Sequence, residues 1–525
     1  SGSAAARDAA IRNANVSFMD KCEQDWTRGL GRLAREGARF VNAAYPYLST
    51  YTCAGHSTIA TGTFPHRHGN FQNTWYDRQK KAVVPCTDDP SARPIAYLEP
   101  GRHGVGPARL REPTFADLMR EQRQARVVSL SLKARSAIML AGHGGHAVTW
   151  FGDAPDGWQT STAFGSTPVA AVAEFVRDRP IEKDFRRVWK RLLPPGRYPG
   201  PDGADGEAPL GGWDRTFPHA LVGTEGRPDR TFRAQWESSP WGDAYLGALA
   251  ARLVETERLG RRETTDLLLV GFSSPDLVGH RFGPDSHEVR DLYGHLDRTL
   301  GQLFNRIDRL VGRDRYVVAL SADHGVADIP EQRQRRGEEA GRVSTATLEQ
   351  VIEASARTSV GIAASVATVN GGDVYFEPGV YARLQSTRSA LDEVVRAVEA
   401  QPGVARVFLS EQLVGGTAPS DLLHRAALLS YVPERSGDLV VALKPGWIFG
   451  TLPTTHGSGN PYDQRVPVIF WGVGIRAGRY TDPASPADIA PTLAALVGLT
   501  MPRAEGRALR AALGDQPTGA TAISR

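Results

Sequence analysis

Apolar residues follow two rhythms along this chain. Short apolar runs bounded by polar turns recur at 126–132, 147–151, 265–272, 315–321, 438–443 and 466–471, and each predicts a buried strand. Between them lie stretches whose apolar residues recur every three or four positions. In 287–311, Val289, Leu292, Leu296, Leu300 and Leu303 share one face and predict a long amphipathic helix. Strand-like and helix-like runs in alternation predict an α/β fold, a mostly parallel sheet covered by helices on both faces.

Two stretches interrupt the alternation. Residues 194–213 (PPGRYPGPDGADGEAPLGGW) are crowded with Pro, Gly and Asp and read as a surface excursion built on turns. From 331 to 437 a charged stretch leads into a small set of strand and helix signals, including 367–376 and 387–400, which read as an inserted cap subdomain. The catalytic α/β domain is then 1–330 together with 437–525. With 525 residues, 41% of them hydrophobic, the chain can bury a large core, which excludes disordered and fibrous classes.

Charge narrows the partners. The 62 basic and 58 acidic residues nearly cancel to +4, without a long basic run, so nothing calls for nucleic acid. The longest apolar runs are too short to span a bilayer. Ser1 to Ala6 read as an expression scar or a trimmed start, because no apolar signal region follows. Three cysteines, Cys22, Cys53 and Cys86, are too few for a disulfide scaffold but leave room for one bridge in an oxidising compartment.

Candidate chemistry gathers where predicted strands end. DLLLVGFSSPDLVGH carries Asp276 and His280, VVALSADHG carries Asp323 and His324, and TTHGSGN carries His456 in a turn before the last strand. Polar residues at the carboxyl ends of strands are where open α/β sheets place their sites. Carboxylates mixed with imidazoles suit an open catalytic metal site, and the number of imidazoles favours zinc over magnesium. Any one pair is commonly a capped turn, but three together favour a two-metal site of the kind that clamps an in-line displacement. A fourth cluster, YPYLSTYTCAGHSTIATGTFPHRHG, lies where a strand meets a helix and offers a hydroxyl that a metal can activate. On spacing alone, it reads more simply as a Ser/Thr helix cap with His56 packed nearby.

The run Thr52-Cys-Ala-Gly-His56, followed by Ile59-Ala-Thr-Gly62, His68-Gly69 and Asn73-Thr-Trp-Tyr-Asp77, resembles the nucleophile segment of the alkaline phosphatase superfamily, in the enzymes related to type I phosphodiesterases and nucleotide pyrophosphatases. The strand-end clusters match that family in order and interval, so the resemblance spans most of the chain. It implies the alkaline-phosphatase-like three-layer fold, with a first metal on Asp276, His280 and His456 and a second on Asp323, His324 and Thr52. Thr52 is then the nucleophile of a phosphothreonine mechanism and Asn73 an amide donor to phosphate. Lys133 and Arg135 resemble the Lys-x-Arg pair of the monoesterase branch, and two cations suit a dianionic monoester better than a diester. The resemblance also implies two zinc ions, a small phosphorylated substrate and export to the periplasm or beyond.

One element departs from the family. Its first apolar strand, ending in an Asp that completes the second metal site, is expected near Arg12, and neither Asp8 nor Asp20 has that setting. Two other readings therefore stay open: a phosphodiesterase or nucleotide pyrophosphatase on the same scaffold, and a catalytically silent binding protein. Trp75, Tyr76 and Trp150 are candidates to line the pocket, although aromatic residues so placed are more often core.

Overall fold

A computed structural model describes residues 21–97, 104–152, 157–415 and 420–514. Its principal strands are β1 (Ala38–Phe40), β2 (Pro94–Ala96), β3 (Val127–Ser131), β4 (Ala147–Gly152), β5 (Gly157–Ser161), β6 (Leu267–Gly271), β7 (Val317–Ser321), β8 (Val366–Asn370), β9 (Asp373–Phe376), β10 (Val404–Leu409), β11 (Leu439–Leu443), β12 (Val468–Gly472) and β13 (Gly478–Tyr480). They form sheets ordered β6-β3-β4-β5-β2 and β7-β12-β1-β13, with a separate sheet β8-β9-β11-β10. The mixed α/β architecture is the one the apolar pattern predicts.

Strand direction is where the pattern misleads. The run 466–471 does form β12, but it lies antiparallel to both β7 and β1. The run 438–443 forms β11, which belongs to the separate sheet and pairs antiparallel with β9 and β10 rather than joining the main sheet. A continuous apolar run marks a strand buried on both faces and says nothing of its partner or direction.

The long helix lies where its periodicity puts it, at His287–Leu310, with the Ser286 hydroxyl capping it by accepting from the Val289 amide. It straddles two cores. Val289, Leu292 and Leu303 pack with Phe282 and Leu246, while Leu296, Leu300 and Phe304 pack with Trp26, Leu30 and Trp471. Its buried Asp297 accepts from the amides of Thr27, Arg28 and Gly31, which ties the start of the helix Gly29–Glu36 to it.

The same two cores take in Leu268 and Val270 of β6 and Val318 and Leu320 of β7. The strand-end Asp that the family resemblance implies is not found among the described residues. The stretch around Arg12, with Asp8 and Asp20, lies outside them.

The Pro/Gly-rich excursion is more firmly packed than its composition suggests. Tyr198, Glu207 and Trp213 are all buried, Tyr198 donates its hydroxyl to the buried Asp291, and the Ala208 amide donates to the Arg281 carbonyl at 3.0 Å. Turn residues set the path of this segment, but Tyr198 fastens it to the helix His287–Leu310 and Trp213 packs it on Phe282 of the helix Ser274–Phe282. Burial first, then the Glu288 and Asp202 carboxylates, pushes the Glu207 carboxyl up to about 8, and its Oε2 has no hydrogen-bond partner. The folded chain therefore holds a proton that the unfolded chain releases near pH ~4.3, and stability falls as pH rises from there to about 8, then levels. Glu207→Gln is expected to flatten that fall and to gain on the order of 3 kcal/mol over the parent at pH about 9. Denaturant midpoints at pH about 5 and about 9 check this; parallel shifts in both proteins would refute it.

Candidate active site

Thr52 is the first residue of the helix Thr52–Thr61 and not its cap; Tyr51, in extended conformation, holds that place and makes no side-chain cap bond. The Thr52 side chain is buried, and its hydroxyl lies 3.4 Å from His324 Nε2. Gly55 one turn on is required by close approach, since a Cβ there would sit 2.0 Å from the Asp323 carbonyl oxygen. The helix start thus lies against the chain that follows β7, and a side chain at position 55 would push the two apart.

Asp276 stands in the first turn of the helix after β6, with His280 one turn beyond it. Around Asp276 Oδ1 lie His280 Nε2 at 3.5 Å, His456 Nε2 at 3.9 Å and His324 Nε2 at 4.0 Å. Asp323 Oδ2 is 3.2 Å from His324 Nε2 and 3.4 Å from His56 Nδ1. The rings of His324 and His456 stack with centroids 3.4 Å apart. The three strand-end clusters therefore meet in one place, beside Thr52.

What prepares these imidazoles is backbone. Nδ1 of His280, His324 and His456 faces the carbonyl of Thr454, Gly325 and Thr50, at 3.0, 2.9 and 2.8 Å. A carbonyl can only accept, so each Nδ1 carries the proton, and in the neutral ring the lone pair is left on Nε2, toward the carboxylates. Charge agrees with this. Burial presses the Asp276 carboxyl upward, but the Lys133 ammonium, followed by His280, His324 and His456, holds it well below the usual range. Burial likewise acts on Asp323, where His324 and His56 reverse it and leave the carboxyl well below its ordinary value. Burial and then the neighbouring His324 keep His456 well below the ordinary imidazole value, so this ring is neutral. Anionic carboxylates and a neutral imidazole are the forms that ligate a cation. Asp276, His280 and His456 satisfy that geometry as a group, all three ligand atoms lying within 4.8 Å of one another.

The remaining predicted residues close the site. Lys133 and Arg135 lie at the start of the helix Ala134–Ala141 that follows β3, and the Lys133 ammonium pairs with Asp276. Arg135 Nε is buried without a hydrogen-bond partner, an orphaned donor of the kind an anionic ligand would satisfy. Asn73 has its Oδ1 held by the Cys53 amide at 3.0 Å, which leaves Nδ2 as its donor end. Trp75 and Trp150 are core residues packed with Cys53 and Ile138, as aromatic residues so placed usually are.

Sequence reasoning undervalued His56. Its Nδ1 faces the Thr52 carbonyl at 2.9 Å as well as Asp323, so it braces both the Thr52 turn and the Asp323 carboxylate; the adjacent Gly in TCAGH was the available signal. It had no means of finding the three carbonyl acceptors, because a backbone carbonyl carries no residue signature.

Known proteins resemble this chain throughout. The family model described as type I phosphodiesterase / nucleotide pyrophosphatase matches residues 16–462. Alkaline phosphatase PafA of Elizabethkingia meningoseptica is 29% identical over 485 residues, covering 90% of this chain and 87% of that protein. Alkaline phosphatase PhoK of a Sphingomonas species is 32% identical over 522 residues, covering 94% and 89%. The crystal structure of wild-type PafA superposes with a TM-score of 0.87 at 28% identity, over 95% of this chain and 97% of that one. Murine ectonucleotide pyrophosphatase / phosphodiesterase 5 shares the fold at a TM-score of 0.53 and 12% identity.

Proposed function

This chain belongs to the type I phosphodiesterase / nucleotide pyrophosphatase family and is a phosphate monoester hydrolase, and we propose that Thr52 is its nucleophile, working between two metal sites. The observation that carries the reading is the convergence of His280, His324 and His456, each with its Nδ1–H on a backbone carbonyl, onto Asp276 and Asp323 beside the Thr52 hydroxyl. The first site uses Asp276, His280 and His456; the second uses Asp323, His324 and Thr52. Zinc is the preferred ion for ligands of this softness. Divalent cations bound there supply positive charge against the transferring phosphoryl group and acidify an adjacent hydroxyl or water.

Thr52 Oγ1 attacks phosphorus, its proton is lost, and the P–O bond to the substrate alcohol breaks. The alcohol leaves with a proton and Thr52 carries the phosphate. Water then attacks phosphorus, the Thr52–phosphate bond breaks, and inorganic phosphate departs. Asn73 Nδ2, Lys133 and Arg135 neutralise and orient the non-bridging oxygens, a contribution that is mainly electrostatic and positional. A second solved form of PafA is altered at a threonine, an asparagine, a lysine and an arginine, in that order. The first two are 21 positions apart and the last two flank a single residue, as do Thr52 and Asn73, and Lys133 and Arg135. That correspondence supports the four assignments. We place the enzyme in the periplasm or outside the cell, where the Cys53–Cys86 disulfide is at home.

The test is substrate preference in the wild-type chain and in a Lys133→Ala/Arg135→Ala variant, with zinc counted per chain. We expect close to two zinc ions and faster hydrolysis of an aryl phosphate monoester than of the matching diester. The variant should lose about 10²-fold or more in monoester kcat/KM and far less with the diester. Equal losses on both substrates would sink the assignment of the two cations. A zinc count of about one with little turnover would favour the binding-protein reading; among the described residues the second site draws on Asp323, His324 and Thr52.

A further inference from the structure

Cys53 and Cys86, the two bridged cysteines, both lie at the nucleophile turn. Cys53 is the residue after Thr52, and Cys86 follows the hairpin strand Ala82–Pro85; their Cα atoms are 6.6 Å apart across 33 positions of sequence. Asn73, which precedes the hairpin's other strand, Thr74–Asp77, is held by both. The Cys53 amide donates to Asn73 Oδ1 at 3.0 Å, and the Cys86 amide donates to the Asn73 main-chain carbonyl at 2.9 Å. One half of the disulfide therefore grips the side chain of Asn73 and the other half grips its backbone.

The surroundings leave that grip little competition. Both cysteines are buried among Phe71, Trp75, Ile138 and Met139. An asparagine amide can turn end for end, and presenting NH₂ rather than C=O toward a phosphate depends on what holds its oxygen. Here that holder is the amide next to the nucleophile, and its distance from the Asn73 backbone is fixed by a covalent bond.

We propose that the Cys53–Cys86 bond is a positioning element of the phosphate site, which sets the Asn73 donor relative to Thr52. The inference rests on the reading of Thr52 and Asn73 given above. A bridge that served stability alone would act by constraining the unfolded chain and would leave the folded enzyme's rate unchanged. A positioning bridge lowers the rate of the folded enzyme when it is removed, and does so through Asn73.

A mutant cycle separates the two roles. Cys53→Ala/Cys86→Ala, Asn73→Ala and the triple variant are compared by kcat/KM on an aryl phosphate and by inhibition with inorganic phosphate. All are assayed well below their melting temperatures, with folding checked by circular dichroism; the pair Cys53→Ser/Cys86→Ser replaces the alanine pair if that does not fold. Asn73→Ala is expected to lose about 10²-fold and the cysteine pair about tenfold, with weaker phosphate inhibition in both. The cysteine pair should cost less than about twofold once Asn73 is alanine. Full activity in the cysteine pair, or losses that simply multiply in the triple variant, overturns the inference and leaves the mechanism standing. An unimpaired Asn73→Ala removes the reading of Asn73, and the inference with it.

Discussion

Thr52→Ala is expected to lower hydrolysis of an aryl phosphate monoester by at least about 10⁴-fold, about 5 kcal/mol of barrier, while the protein stays folded. The covalent route ends with the hydroxyl, since alanine offers no oxygen to attack phosphorus. Stability should change little. Among the described residues the hydroxyl's side-chain partner is His324 at 3.4 Å, and its removal leaves a small void at a helix start, a loss of about 1 kcal/mol. Thr52→Ser keeps the nucleophile and should fall within about tenfold of the parent. Acid-quenched parent enzyme should carry phosphate on the Thr52 peptide and the alanine variant none. Comparable turnover in the two would end the assignment of Thr52.

His456→Ala is the second large effect. The ring stacks on His324 at 3.4 Å, meets Tyr51 edge-on with centroids 5.8 Å apart, and holds its Nδ1–H on the Thr50 carbonyl. Its loss would remove one of the three ligands proposed for the first site and a ring stacked on His324. The expected result is about one metal ion fewer per chain and a fall of about 10³-fold in kcat/KM, partly recovered in excess zinc. Elemental analysis after gel filtration, read beside the rates, checks it. Unchanged metal content would refute the assignment of His456 even if activity were lost.

Much of the candidate site could be read from the sequence because its proposed ligands are side chains with restricted chemistry. Asp276 and His280 are four residues apart after an apolar run, Asp323 and His324 are adjacent after another, and a histidine beside a glycine precedes the apolar run of β12. What was hidden is carried by backbone or by distance. The carbonyls of Thr50, Gly325 and Thr454 that set the tautomers have no residue signature, and neither do the amides that hold Asn73. Helix 287–310 could be placed to within a residue because its face repeats five times. Strands β11 and β12 could be found but not paired, since direction and partner follow from where the chain returns. Segment 194–213 shows the converse, where turn composition concealed Tyr198 and Trp213 as anchors.

The double packing of helix 287–310 has a consequence for how this enzyme would fail. Asp276 follows β6 and Asp323 follows β7, and helix 287–310 sits in the two cores that take in both strands, so the placing of that one helix bears on the spacing of the two ligand clusters. A shift of that helix by an ångström would melt no secondary structure, yet it would spoil a site whose tolerance is smaller than that. Catalysis then works as the finest gauge of tertiary integrity in this molecule, the first property to go under stress and the last to return.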